Sequence, residues 1–351
     1  MRKNAHLAII GHFGGKKEYF DGQTVKTKAV YDALKRFGIQ SVHKVDTYYI
    51  RRNPFRFFGQ FVLAIIRDKQ FIVLLSKNGR KIIFPILYKL SKIGKKIYHY
   101  VIGGQLANEA EENLKSRKQI KSFKANWVES KLIVTRLKKL GVLNASYIPN
   151  FKNIRILQKD ELSFYNTEPF RFCMFSRVMK EKGIEDAIKA IRQINEESGK
   201  TLATLDIYGQ IESGYEERFN NSIHQMGAGY SVYRGIIPPD ESVECLKNYY
   251  MLLFPTFWKG EGMPGTIIDA LSSGLPIIAR RWKYCDEMID NNVTGFVYDF
   301  EKPNLLNDMI EKAITYPDQV NAMKINCLQK AQEYSVDNVM NEVIRQMHLK
   351  D

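Results

Sequence analysis

An α/β protein of two doubly wound domains is the fold class the sequence predicts. Three observations predict it. Short runs of aliphatic and β-branched residues alternate with longer amphipathic stretches along the chain. Many of the short runs end in loops containing glycine, at the edge of a parallel sheet where ligands bind. The 351 residues suffice for two such domains of ordinary size.

Leu7 to Ile10 reads as a buried strand that runs into Gly11-His12-Phe13-Gly14-Gly15. A glycine-rich turn after a first strand lets phosphate approach the backbone. The G-x-G-x-x-G spacing of a dinucleotide site is absent. A helix is predicted from Asp21 to about Arg36. Gln23, Thr24 and Lys28 are candidates to line a cleft there, and a helix start with surface lysines is the alternative. Ile39 to Val45 suits a strand. From Tyr48 to Arg67, arginines and aromatics interleave and lead into an amphipathic helix. That combination suits a lipid headgroup plane or nucleic acid, or else a core helix with a solvated basic end.

Phe71 to Leu75 is predicted as a strand, followed by Ser76-Lys77-Asn78-Gly79-Arg80 and a helix carrying Lys89 and Lys92. Lys96 to Ile102 reads as a strand ending at Gly103-Gly104, with His99 near its end. Gln105 to Ile120 is predicted to be helical and Ala125 to Glu129 a strand. Ser130 suits the cap of a helix through Lys139, and Gly141 its stop. Ala145 to Asn150 is a further strand, and Phe151 to Gln158 reads as a linker.

The second half opens with the strand Phe170 to Phe175 and the loop Ser176-Arg177-Val178-Met179-Lys180-Glu181-Lys182-Gly183. Arg offers phosphate a planar fork and Lys a point charge. Two surface cations on a loop is the alternative. Thr204 to Gly209 and Val232 to Pro238 are strands with their turns. Met251 to Pro255 and Leu275 to Ala279 bracket Glu261-Gly262-Met263-Pro264-Gly265-Thr266-Ile267-Ile268-Asp269, a loop entering a helix. Pro264 suits the first helical turn and Gly274 the residue past the end. First-turn N–H groups lack internal partners and favour phosphate. Carboxylates on either side would grip hydroxyls, in the order that a nucleotide sugar presents sugar, diphosphate and ribose. A capped helix with incidental charges fits the spacing equally. Asp286 to Ile289 and Asn292 to Val297 read as structural. Pro303 to Tyr316, Pro317 to Tyr334 and Ser335 to Lys350 are predicted helices.

Apolar content of 44% and charged content of 26% are those of a soluble globular protein. Cys173, Cys245, Cys285 and Cys327 form no C-x-x-C pair, which argues against zinc and disulfides and fits a reducing cytoplasm. The start Met1-Arg2-Lys3 precedes an apolar run too short for a signal peptide, and no run reaches the roughly 18 apolar residues of a membrane span. Residues 1–150 carry a net charge of +21 and the remainder −6, which together give the +15 of the chain. Such asymmetry points to an anionic partner for the first half.

Two motifs carry a resemblance to a known family. Glu261 to Asp269 resembles the E-x7-E signature of retaining family 4 glycosyltransferases with the GT-B fold. Ser176 to Gly183 resembles that family's S/G-R-x4-K-G element, in the right order along the chain. The resemblance covers nearly all of the second half and the first half loosely. It implies two Rossmann-like domains facing each other across a cleft: residues 1–152 on the acceptor side, 153–334 for the nucleotide sugar, and 335–351 as a helix crossing back. It also implies transfer of a sugar from a nucleotide sugar, expected to be UDP-linked, to a glycan or polyprenyl-diphosphate-linked acceptor. The setting would be bacterial cell-surface polysaccharide assembly.

The resemblance assigns roles residue by residue. Arg177 and Lys182 hold the leaving diphosphate, helped by the amides at Gly14 and Gly15 and by the helix start at Gly265-Thr266. Glu261 contacts the donor sugar within a loop that includes Gly262, Met263 and Pro264. Asp269 stands where the pattern has Glu, one methylene short, so a bridging water to the ribose is an option. Gly235, Ile236 and Ile237 offer backbone to the nucleobase. His99 sits near where several members place a histidine facing the sugars, with Gly103-Gly104 as the alternative occupant. No side chain is an obvious nucleophile, which agrees with a front-face mechanism in which the leaving phosphate takes the acceptor proton. With no Asp-x-Asp in the chain, neither metal nor cofactor is expected beyond the nucleotide-sugar co-substrate.

The basic first half would rest on anionic lipid, peripheral on the cytoplasmic face of the plasma membrane; nucleic acid is not expected, for want of an RNA-binding signature. Two rivals stand beside this reading. One is a non-catalytic membrane- or nucleic-acid-binding protein on the same fold. The other is a nucleotide-sugar epimerase or hydrolase, which needs acid–base carboxylates in the first-half loops.

Overall fold

The computed structural model describes residues 6–16, 22–299 and 305–349. The expected helix starts at Asp21 and Pro303 and the helix end at Lys350 lie outside the described residues. The chain divides into two units, Met1–Asn153 with Val336–Asp351, and Ile154–Ser335.

Each unit is built on one parallel six-stranded sheet. In the first, β1 (Leu7–Gly11), β2 (Val42–Asp46), β3 (Gln70–Leu74), β4 (Lys96–Tyr100), β5 (Ala125–Val128) and β6 (Ala145–Tyr147) lie in the order β2-β1-β3-β4-β5-β6. In the second, β7 (Phe170–Phe175), β8 (Ala203–Tyr208), β9 (Ser231–Gly235), β10 (Met251–Phe254), β11 (Ile277–Arg280) and β12 (Gly295–Tyr298) lie in the order β12-β11-β10-β7-β8-β9. The central strands are apolar throughout because helices cover both faces of each sheet. The strand order reverses beside the first strand of each unit, between β1 and β3 and between β7 and β10. Loops leaving the carboxyl ends of those strands diverge and open a crevice for ligands.

The helix Val336–Met347 follows the second unit in sequence but packs in the first. Val336, Val339, Met340, Val343, Ile344 and Met347 repeat at helical spacing and join Leu7, Ile9, Ile72, Tyr98 and Trp127 in its core. The Trp127 indole N–H donates to Gln346 at 2.6 Å.

Two predicted helices and one predicted stretch differ in detail. The stretch from Tyr48 to Arg67 is two helices, Tyr49–Arg52 and Pro54–Arg67, because Pro54 restricts Asn53 to extended backbone and its side chain caps the second helix. Gln105 to Ile120 breaks at Asn113, whose side chain accepts the Ser116 N–H and starts a new helix, Leu114–Lys121. Pro264 is the extended N-cap rather than a first-turn residue, so the helix is Gly265–Ser272.

Candidate functional site

Lys182, Glu261 and the helix start at Gly265-Thr266 collect at the topological switch point of the second unit. β7 and β10 are hydrogen-bonded neighbours, so the loop carrying Arg177 and Lys182 lies against the loop carrying Glu261. Gly183 makes that contact possible. Its φ is +75°, and a Cβ there would stand 2.4 Å from the Pro255 carbonyl oxygen. The Phe257 N–H donates to the Glu181 carbonyl at 2.8 Å. The Thr266 hydroxyl donates to the Phe175 carbonyl at 2.6 Å and ties the start of the helix Gly265–Ser272 to the end of β7.

This joint buries an ion pair. Lys182 Nζ lies 2.5 Å from Glu261 Oε2, and both side chains are buried. The same oxygen accepts from the Thr256 hydroxyl at 2.9 Å. Phe254 and Trp258 offer their rings to the ammonium at 5.4 and 5.1 Å. Trp282 fixes the next turn by donating its indole N–H to the Gly262 carbonyl at 2.9 Å. Met263 is buried beneath the loop. A cation, a carboxylate and the first-turn amides of Gly265 and Thr266, which have no carbonyl within their own helix to pair with, therefore stand together on one edge of one sheet.

The other candidates are placed differently. Asp269 is buried inside the helix's packing face, where it accepts from the Ser242 hydroxyl at 2.8 Å. Arg177 extends into solvent, 3.5 Å from Glu212. Gly235 takes φ +86°, and its carbonyl accepts the Gly209 N–H at 2.8 Å. Ile236 beside it is exposed and Ile237 is half-buried.

In the first unit, the Gly14-Gly15 turn is held by a carboxylate that the sequence did not single out. Asp46, at the end of β2, accepts the N–H groups of Phe13, Gly15 and Tyr48 at 2.9, 2.9 and 3.0 Å. Its place directly after the predicted strand Ile39 to Val45 was the available signal. His12, one residue past β1, is hydrogen-bonded to Thr24 at 2.7 Å. Lys26 and Glu129 form a buried ion pair near the ends of β4 and β5, and burial lowers the lysine's pKa against the pull of the carboxylate.

His99 is not brought to the strand-end loops. Its ring is fully buried, edge-on to Phe84 at 4.9 Å, with Asn126 as its hydrogen-bond partner at 3.2 Å. Strand alternation explains this: Tyr98 and Tyr100 face the core shared with Val336–Met347, so His99 faces the helix Lys77–Lys92. Burial, reinforced by the Arg80 charge, pushes the imidazole down to about 3.

Two predictions follow from this geometry. Lys182→Met strands a buried carboxylate and is expected to destabilise the second unit by about 3–5 kcal/mol. Lys182→Met/Glu261→Leu recovers most of that loss, and chemical denaturation of wild type, Lys182→Met, Glu261→Leu and the double variant measures the cycle. For His99, the unfolded chain binds the proton near pH 6.5 and the folded chain only near 3, so stability rises with pH across that window. His99→Leu is expected to flatten the pH dependence of unfolding between pH 6.5 and 3 relative to wild type.

Residues 157–329 match the sequence profile of the family described as Glycosyl transferases group 1. The amylovoran biosynthesis glycosyltransferase AmsK of Erwinia amylovora is 24% identical over 134 residues, 37% of this chain and 32% of its own length. The GtfA subunit of the UDP-N-acetylglucosamine–peptide N-acetylglucosaminyltransferase of Streptococcus agalactiae is 26% identical over 178 residues, 50% of this chain and 33% of its own length. The chain thus spans about a third of each of these curated relatives. Among solved structures, Anabaena HepE with UDP and glucose superposes with a TM-score of 0.72 at 12% identity, covering 98% of this chain and 99% of that one. The pneumococcal O-GlcNAc transferase GtfA with UDP and GlcNAc gives 0.61 at 16% identity, covering 84% of this chain and 60% of that one. The second unit is thus similar over nearly its whole length to the glycosyl transferases group 1 domain, and the chain has the two-domain GT-B fold.

Proposed function

We propose that the protein is a retaining, metal-independent glycosyltransferase of the family 4 type. It moves a hexose or N-acetylhexosamine from a UDP-linked donor to a glycan or polyprenyl-diphosphate-linked acceptor in cell-surface polysaccharide assembly. The observation that carries this reading is the buried Lys182–Glu261 pair, set beside the start of the helix Gly265–Ser272 at a topological switch point. A relative named for amylovoran biosynthesis and structural neighbours holding UDP with glucose or GlcNAc support it.

In this reading the departing diphosphate gains charge as the glycosidic bond breaks. Lys182 and the amides of Gly265 and Thr266 meet that charge with fixed dipoles and a cation, and the solvent-facing Arg177 folds onto it. Glu261 turns its acceptor capacity to the sugar hydroxyls once phosphate competes for Lys182. Asp269, already bonded to Ser242, reaches the ribose through a bridging water. The leaving phosphate removes the acceptor proton on the face it departs from, so the anomeric configuration is kept without an enzymic nucleophile.

The test is release of nucleoside diphosphate from a panel of UDP-, GDP-, ADP- and dTDP-sugars in EDTA. One donor is expected to turn over, with Glu261→Gln and Lys182→Ala each lowering the rate by at least about a hundredfold. Equal rates in the variants, or dependence on added metal, would contradict the reading.

The surface of the first unit supports a lipid-borne acceptor. The helix Pro54–Arg67 leaves Phe55 90% exposed, with Phe58 and Ile66 also facing solvent. Arg51, Arg52, Arg56 and Arg67, all exposed, flank them in sequence. Arg52 and Arg56 stack on Tyr48 and Tyr49 at 4.6 and 4.2 Å, which orders the cationic rim. Apolar side chains ringed by cations match an anionic lipid surface. Phe55→Ser/Phe58→Ser is expected to weaken sedimentation with phosphatidylglycerol vesicles by at least about tenfold. Unchanged binding, or equal binding of wild type to neutral vesicles, would remove the membrane from the account.

A further inference from the structure

Trp258 takes no part in the substrate contacts assigned above, and its setting differs from that of the other two tryptophans. Trp127 is fully buried and Trp282 is 9% exposed, whereas Trp258 is 41% exposed. It lies three residues before Glu261, on the loop that delivers that carboxylate. The exposed indole is nevertheless fixed. Lys182 Nζ stands over the ring, 5.1 Å from its centre. The backbone of Gly260 lies so close that a Cβ there would come within 2.8 Å of the indole Cζ2. Its own carbonyl accepts the Glu261 N–H at 3.0 Å, and its N–H donates to the Thr256 hydroxyl at 3.4 Å.

A large aromatic left open to water but held in place is a binding surface already ordered, so little conformational freedom is lost when a ligand covers it. Its chemistry selects the ligand. One face of a hexopyranose ring presents only C–H groups, and these pack on the face of an aromatic ring. The hydroxyls at the rim of the sugar meanwhile need acceptors, and Glu261 is the buried carboxylate at hand. Gly260 belongs to the same device, because any side chain there would displace the indole.

We propose that Trp258 is a stacking platform for a pyranose ring and sets which sugar the site accepts. The proposal rests on the sugar-transfer reading of the Lys182–Glu261 site. The ring that stacks is that of the nucleotide sugar or that of the acceptor, and the two sources are separable by experiment.

With the other tryptophans buried, Trp258 dominates the emission that acrylamide can quench. The probes are the nucleotide sugar identified by the release assay, the matching nucleoside diphosphate alone, and p-nitrophenyl hexopyranosides added with that diphosphate. Protection from quenching by the nucleotide sugar and not by the diphosphate assigns the donor ring. Protection only on adding a hexopyranoside assigns the acceptor ring. In the kinetics, Trp258→Ala is expected to raise KM for the stacked sugar about tenfold with a smaller change in kcat, and Trp258→Phe to recover most of it. Protection by the diphosphate alone, or no protection by any probe, overturns the proposal. So does a folded Trp258→Ala protein with unchanged KM. If Trp258→Ala fails to fold, the quenching of wild type and the KM of Trp258→Phe decide. A wild type that turns over no nucleotide sugar overturns the underlying reading instead, and the platform with it.

Discussion

Lys182 and Glu261 are oppositely charged and buried, and neither is tolerable in that place without the other. Much of the second unit's ligand-facing edge follows from this. The pair forms only if the loops after β7 and β10 touch, which requires the two strands to be neighbours although 75 residues separate the end of β7 from the start of β10. It also requires Gly183 to let the Pro255 carbonyl approach. Thr256 and the rings of Phe254 and Trp258 then complete the surroundings of the two charges. A buried ion pair adds little to stability compared with apolar residues of the same shape. Its value lies in holding a cation and a carboxylate in fixed positions beside a helix start, ready to be divided between two parts of one ligand.

The first unit meets a related constraint in the opposite way. Its glycine-rich turn presents amides, and the fold supplies its own anion to hold them: Asp46, which takes three backbone N–H groups. A concavity of amides suits any negative group, internal or bound. Lys26 and Glu129 likewise neutralise each other at the ends of β4 and β5. These carboxylates are occupied in structural bonds, which weighs against an acid–base role for them in an epimerase. Arg51, Arg52, Arg56 and Arg67 are among the cations that the unit leaves exposed, on and beside the helix Pro54–Arg67.

Legibility in the sequence tracked how local each determinant is. The two motifs were legible because each is contiguous: a strand, a loop and a helix start within a dozen residues. Apolar runs located the strands, and the missed helix break at Asn113 came from a capping side chain whose bond spans three residues. His99 shows where local reading stops. Its position near a strand end was readable, but the face it takes depends on which neighbours Tyr98 and Tyr100 find. Asp46 and Trp258 were missed because one acts through amides thirty residues away in sequence and the other through its exposure, which no pattern encodes.

The sequence by itself determined the fold class, the two motifs and the charge asymmetry between the halves, since these depend on periodicity, composition and short spacings. Only the tertiary structure decided that Lys182 and Glu261 are partners, that Asp269 is spent on Ser242 and that Asp46 fills the glycine turn. The reason is physical. Burial and ion pairing depend on which segments the sheet order makes adjacent, and that order is a property of the whole chain.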